Sequence, residues 1–153
     1  MMALSDYIQR IKGPVSSDKK AGDIPDTWTG SVSKKSRIDE TVFVVFDMEM
    51  SGIDPRKDFI VSIGALKMTG SKIHVGKEFY SLVRPEGQMT KKNVEIHGIM
   101  PDELKGQRQI DEVLPEFLDF ISDSVLVGHF VHMDLNFINA ALKNLYNKKL
   151  VKK

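Results

Sequence analysis

The stretch FVVFDMEMSG at residues 43–52 constrains this chain more than any other. Four bulky apolar residues run straight into two carboxylates placed one residue apart. Such a run is built to enter a core, where an ionised carboxylate is costly unless something compensates it. Side chains at i and i+2 of a strand share a face, so Asp47 and Glu49 point the same way. Held together at a strand end they repel, and partial burial adds desolvation. Three responses exist: one acid keeps its proton, a Lys or Arg pairs with them, or a cation binds. No Lys or Arg lies among the immediate neighbours, although one distant in sequence can fold in. A divalent metal fits best, and hard oxygen donors in a chain without cysteine favour Mg²⁺ or Mn²⁺.

The remaining pattern says what this segment folds against. At 153 residues there is room for one domain with a proper core. Residues 1–12 place Leu4, Tyr7, Ile8 and Ile11 at helical spacing. Residues 13–40, rich in Gly, Pro, Ser and Lys, read as a linker or draped arm, with Trp28 docking onto the folded domain. That domain is expected to occupy residues 41–153. Strands are predicted over 41–48, 58–69 and 73–83, and their short connections make an antiparallel meander. The first lacks polar alternation and is expected to be buried on both faces in mid-sheet. A short helix is predicted over 92–97 and a clearer one over 111–122, with Pro115 near its start, where a missing amide costs least. A short buried strand over 125–128 leads to a helix over 133–147. The core-facing stripe of that helix is Phe137, Ile138, Ala141, Leu142 and Leu145. Strands first and βα elements later imply an α/β or α+β fold on a mixed sheet.

Asp134 is the third acid of interest. It falls in the first turn of the last helix, in register with Phe137, Ile138 and Ala141 on the inward stripe. One reading is that it complements the helix dipole. Its apolar stripe-mates favour a functional role beside Asp47 and Glu49. Composition adds bounds. A net charge of +1 neither suggests nor excludes a nucleic-acid partner, and zero cysteines exclude a disulfide scaffold or thiolate zinc site. No apolar stretch approaches the ~20 residues of a membrane span. The N-terminus lacks an apolar signal-peptide core, so a cytoplasmic protein with no membrane partner is expected.

Three segments in order carry a resemblance: FDMEMSG trailed by IVSIGAL, then NVEIHGIMPDEL, then LVGHFVHMDLNFIN. Together they resemble the DEDD superfamily of 3′–5′ exonucleases, in its DnaQ-like branch. That branch includes the proofreading epsilon-type subunits of bacterial DNA polymerase III and ribonuclease T. The Met after Glu49 also resembles oligoribonuclease. The match covers residues 41–146 with spacing preserved. It departs from the family at Phe130, usually Asn, and at Met133, usually Phe. The family's third motif, a His followed five residues later by a fourth Asp, lies downstream of the second. Here His132 is the last histidine and Asp134 the last acid, so that motif is absent from the sequence.

The resemblance implies a ribonuclease H-like mixed sheet and two metal ions ~4 Å apart, catalysing in-line hydrolysis at the 3′ end of single-stranded DNA or RNA. Asp47 would bridge both ions, Glu49 would hold the nucleophile-side ion and Asp134 would act on the other. Ser51 and Gly52 would let backbone approach the terminal nucleotide, and Met50 would contact its sugar or base. His97 and His129 would lie on the substrate side, a plain helix-end histidine being the alternative for His97. A DNA polymerase is an implied partner, with proofreading in DNA replication as the setting. The missing motif has three explanations: a fragment of a longer chain, a diverged non-catalytic domain, or completion by a partner or an unusual residue. The first is the leading expectation, with weak or no activity in these 153 residues. The alternative function is a non-catalytic nucleic-acid-binding or interaction domain. A C-terminally incomplete sheet would leave the VLVG strand with an unpaired edge, inviting self-association.

The other histidines and cations carry weaker signals. His129, His132 and Asp134 also form a possible zinc set. His74 is expected in a turn or strand edge, facing solvent. The ending KNLYNKKLVKK is basic enough to touch phosphate, or simply complements a helix C-terminus.

Overall fold

The computed structural model describes residues 35–150. The helix expected over 1–12, most of the arm and the docking of Trp28 lie outside the described residues. Eight elements follow in order: β1 (Val42–Met50), β2 (Ile60–Thr69), β3 (Lys72–Leu82), α1 (Lys91–His97), α2 (Pro101–Leu104), α3 (Ile110–Phe120), β4 (Val125–Val127) and α4 (Val131–Tyr146). The strands form a mixed sheet ordered β3-β2-β1-β4. The first three are the expected antiparallel meander, and β4 runs parallel to β1.

Alternation along β1 sets the geometry of the molecule. Val44, Phe46 and Met48 are buried, while Val45, Asp47 and Glu49 between them are half-buried. The expectation of burial on both faces is therefore corrected: only one face of β1 enters the core. Its apolar residues meet Val113, Leu114 and Phe117 of α3 and Phe137, Ile138 and Leu142 of α4. Phe117 is the hub, with ring centroids 5.8 Å from Phe46 and 5.4 Å from Phe79. Those tilted pairs add to the area term that drives the packing.

β4 is also corrected. It is three residues long, half-buried at Val125 and Leu126 and exposed at Val127, so it is an edge strand among the described residues and not a buried one. On α4 the buried residues are Asp134, Leu135, Phe137, Ile138 and Leu142, whereas Leu145 is exposed. The helix starts two residues earlier than expected and its inward stripe is rotated toward its N-terminal half. Leu150, past the helix, folds back into the core, its amide donating to Asn139 Oδ1 at 2.8 Å.

α3 differs in one instructive way. Pro115 is the sixth helical residue, not a first-turn one. A proline there cannot donate to the carbonyl four residues back, that of Asp111. The Tyr146 hydroxyl, from the end of α4, donates to that same carbonyl at 3.0 Å. A side chain from a neighbouring helix thus supplies the bond the proline withholds. α2, with Pro101 at its first turn, is an addition the sequence pattern did not signal. His74 is half-buried and bonded through Nε2 to Thr69 Oγ1 at 2.8 Å, so it does not face solvent freely.

Candidate active site

Asp47 and Glu49 stand on the half-buried face of β1, near its C-terminal end. Their cross-strand partners are Gly64 and Ser62. Both cross-strand partners are small. β4 pairs with β1 only as far as Val45↔Val127, so both acids lie beyond the last parallel pair. There the chain turns back at Gly128, where an added Cβ would sit 3.0 Å from the Phe46 carbonyl oxygen. A side chain there would have to push the turn away from β1 by a few tenths of an ångström. α4 then begins, and Asp134 in its first turn is 3 % exposed.

The three acids share one electrostatic environment. Burial pushes the Asp134 carboxyl up first, the charge of Asp47 adds to it, and Glu49 contributes further, against a lowering backbone hydrogen bond; the result is about 7. Burial likewise raises Asp47, opposed by a hydrogen bond from the Met48 backbone and by attraction to His129. The donor chemistry therefore fits a hard divalent cation: oxygen ligands whose mutual repulsion a positive charge would relieve. Among the described residues, no three His, Cys, Asp or Glu side chains stand arranged as a ready metal cluster. The His129, His132 and Asp134 zinc set is therefore not preassembled. Likewise, the three carboxylates influence one another without forming a closed ligand shell. A cavity of about 210 Å³ lined by Asp58, Ile60, Val83, Phe137 and Ala141, among others, lies apart from them and does not include the acids.

The expected substrate contacts are placed unevenly. Ser51 and Gly52 serve the β1–β2 loop. The Ser51 amide donates to the Phe59 carbonyl and its hydroxyl accepts from the Phe59 amide, each at 2.9 Å. A Cβ at Gly52 would fall 2.3 Å from the Asp58 carboxylate, so that glycine makes room for Asp58. Met50 packs partly against the core. His97 closes α1. Its Nδ1 accepts from the Ile99 amide at 3.1 Å, which puts the proton of the neutral ring on Nε2. That Nε2 is buried without a hydrogen-bond partner among the described residues, and burial lowers the His97 pKa. His129 is exposed at the turn before α4.

Two residues escaped the sequence reading. Asn93, buried on α1, exchanges capping bonds with Thr90 and donates its side-chain amide to the Ser51 carbonyl, tying the helix to the loop after Glu49. The spacing TKKN offers the capping half of that role, as a variant of the capping box; the tie across 42 residues has no local signal. Phe130 drew notice only as a departure from the family. It is 65 % exposed, with φ +48 at the N-cap of α4 and no side-chain capping bond.

Comparison with known proteins agrees with this architecture. The chain matches the exonuclease (RNase T) family over residues 44–153. It is 38% identical over 115 residues to the PolC-type DNA polymerase III of Thermotoga maritima, a match covering 75% of this chain and 8% of that protein. It is 36% identical over 119 residues to the DNA polymerase III subunit epsilon of Aquifex aeolicus, covering 78% of this chain and 58% of the relative. The chain thus spans less than two thirds of either relative. The fold superposes on a zinc-bound E. coli exonuclease I in complex with single-stranded DNA, with a TM-score of 0.63 and 14% identity, over 74% of this chain and 28% of the other.

Proposed function

The chain belongs to the exonuclease family that it matches over residues 44–153, and on that premise we propose that it acts on the 3′ end of single-stranded nucleic acid, with divalent cations held by Asp47, Glu49 and Asp134. The observation that carries the reading is the burial of Asp134 within the field of the other two acids, which raises its carboxyl to about 7. A carboxyl raised by the charges of two neighbouring acids is one whose ionised form a bound cation would favour. Mg²⁺ or Mn²⁺, when bound, would supply an activated water and stabilise the leaving oxygen. Asp47 and Glu49 would hold the ions from β1, and Asp134 from α4. At neutral pH Asp134 is close to half-protonated, so the divalent ion would displace a proton as it binds. His97 would flank the terminal nucleotide from the end of α1. Asn93 would hold the Ser51 carbonyl, and with it the loop that flanks that nucleotide. DNA polymerase is the partner this reading assigns, proofreading in replication the process, and the cytoplasm the compartment.

The test is titration of the 153-residue chain with a 5′-labelled single-stranded oligonucleotide, with and without Mn²⁺. We expect Mn²⁺-dependent binding and slow shortening from the 3′ end, both lost in Asp47→Asn. Binding indifferent to Mn²⁺ and to Asp47→Asn would overturn the proposal. A non-catalytic nucleic-acid-binding domain is the second reading, favoured by the lack of a preassembled three-ligand cluster. Calorimetry separates the two, because that domain would take up no Mn²⁺.

A further inference from the structure

Phe130 combines three local choices that each work against stability. A helix N-cap favours Asn, Asp, Ser or Thr, whose side chain accepts a bond from the first turn, and Phe130 makes none. Its φ of +48 and ψ of +38 lie in the left-handed region, which bulky side chains avoid and Asn tolerates. Its ring is 65 % exposed, so burial does not offset either cost. A residue that works against cap, backbone and solvation together points to a role outside folding.

Its surroundings say what that role is. His129 stands 4.4 Å from the ring, centroid to centroid, at 75°, and His132 stands 6.0 Å away at 81°. Both imidazoles are nearly perpendicular to the phenyl ring and help to fix its orientation while most of its surface stays open. The same His129 interacts with Asp47, and Asp134 follows Phe130 by four residues in the first turn of α4. The oriented, open ring therefore sits in the turn between β4 and α4, which carries His129 and leads into the helix of Asp134.

We infer that Phe130 is a stacking platform for a base of the single strand whose 3′ end lies at Asp47, Glu49 and Asp134. This rests on the exonuclease reading and adds a specificity-determining contact to it. Every base has a π-face, so the contact favours single-stranded over paired ends without selecting a sequence. Stacking of this kind contributes about 1–3 kcal/mol per base, equivalent to a roughly 5- to 150-fold change in affinity.

The test uses the 153-residue chain and a single-stranded oligodeoxynucleotide carrying 2-aminopurine near its 3′ end, with Mn²⁺ present. Stacking on Phe130 should quench the fluorescence, and Phe130→Trp should preserve the quenching. Phe130→Asn should remove it and weaken binding at least about fivefold, while melting at an equal or higher temperature, because Asn suits both the cap and the backbone. Placing an abasic residue at the stacked position should erase the difference between the parent and Phe130→Asn. If the parent binds no oligonucleotide, the exonuclease reading falls and this inference with it. If the parent binds and Phe130→Asn binds and quenches equally, the stacking assignment alone is overturned.

Discussion

Replacing Asp134 by Asn should make the metal-free protein more stable at pH 8, although it removes a residue of the proposed site. The carboxyl is lifted from 3.8 to about 7 by burial and by the charges of Asp47 and Glu49. Below pH 3.8 the group is protonated in both folded and unfolded chains and contributes nothing. Between 3.8 and about 7 the folded chain keeps a proton that the unfolded chain has released, so stability falls as pH rises through that window. Above it the penalty is complete and constant. The whole lift corresponds to at most about 4 kcal/mol. Solvent reaching the rim of the site screens part of this, and about 2 kcal/mol is the working expectation.

Urea denaturation in chelator, followed by circular dichroism from pH 4 to pH 8, reads the effect directly. Asp134→Asn should exceed the parent by about 2 kcal/mol at pH 8, with the gap closing near pH 4. Mn²⁺ should reverse the order, because a ligand at a hundred times its dissociation constant stabilises the parent by about 2.7 kcal/mol and Asp134→Asn has lost a ligand. A parent as stable as Asp134→Asn at pH 8 in chelator, or a gap that ignores pH, would refute the argument.

Two further predictions concern ties between elements. Asn93→Ala removes a reciprocal cap and the donor to the Ser51 carbonyl; about 1–2 kcal/mol should be lost. Hydrogen exchange at the Ser51 and Phe59 amides should accelerate while the β2–β3 ladder stays protected. Tyr146→Phe should cost about 0.5–1 kcal/mol in a thermal melt by stripping the Asp111 carbonyl of its donor. In a Pro115→Ala background, where a helical amide can serve that carbonyl, the same change should cost almost nothing, and an additive cycle would dismiss the compensation.

What the sequence made legible, and what it hid, divides along the range of the interactions. The meander follows from short connections and turn residues, and the shared face of Asp47 and Glu49 from the two-residue period of a strand. FVVF, by contrast, reads alike whether one face or two are covered, and in the fold Val45 is half-buried where Val44 and Phe46 are buried. Leu145 fits the helical stripe, yet the core ends a turn earlier and leaves it exposed. The Asp58 carboxylate, six residues on, fills the space beside Gly52, a contact that no local pattern reports. The ties from Asn93 to Ser51 and from Tyr146 to Asp111 span 42 and 35 residues, and no periodicity reports them.

The helix dipole alone does not account for the electrostatics of Asp134. A carboxylate placed in a first turn only to complement the N-terminal partial charge is stabilised in its ionised form, and its pKa falls. Asp134 does sit in the first turn, yet its pKa rises to about 7. Burial and two like charges must therefore outweigh whatever the helix end contributes. Nothing about α4 as a helix calls for that expense: Val131 to Tyr146 would pack the same hydrophobic face with a neutral residue there. The parity of β1 is what makes the meeting unavoidable. Anchoring Val44, Phe46 and Met48 in the core commits Asp47 and Glu49 to the other face. The close turn at Gly128 then starts α4 beside that strand, where its buried acid feels both of them. A carboxyl raised so far above its ordinary value costs stability that a bound cation would relieve.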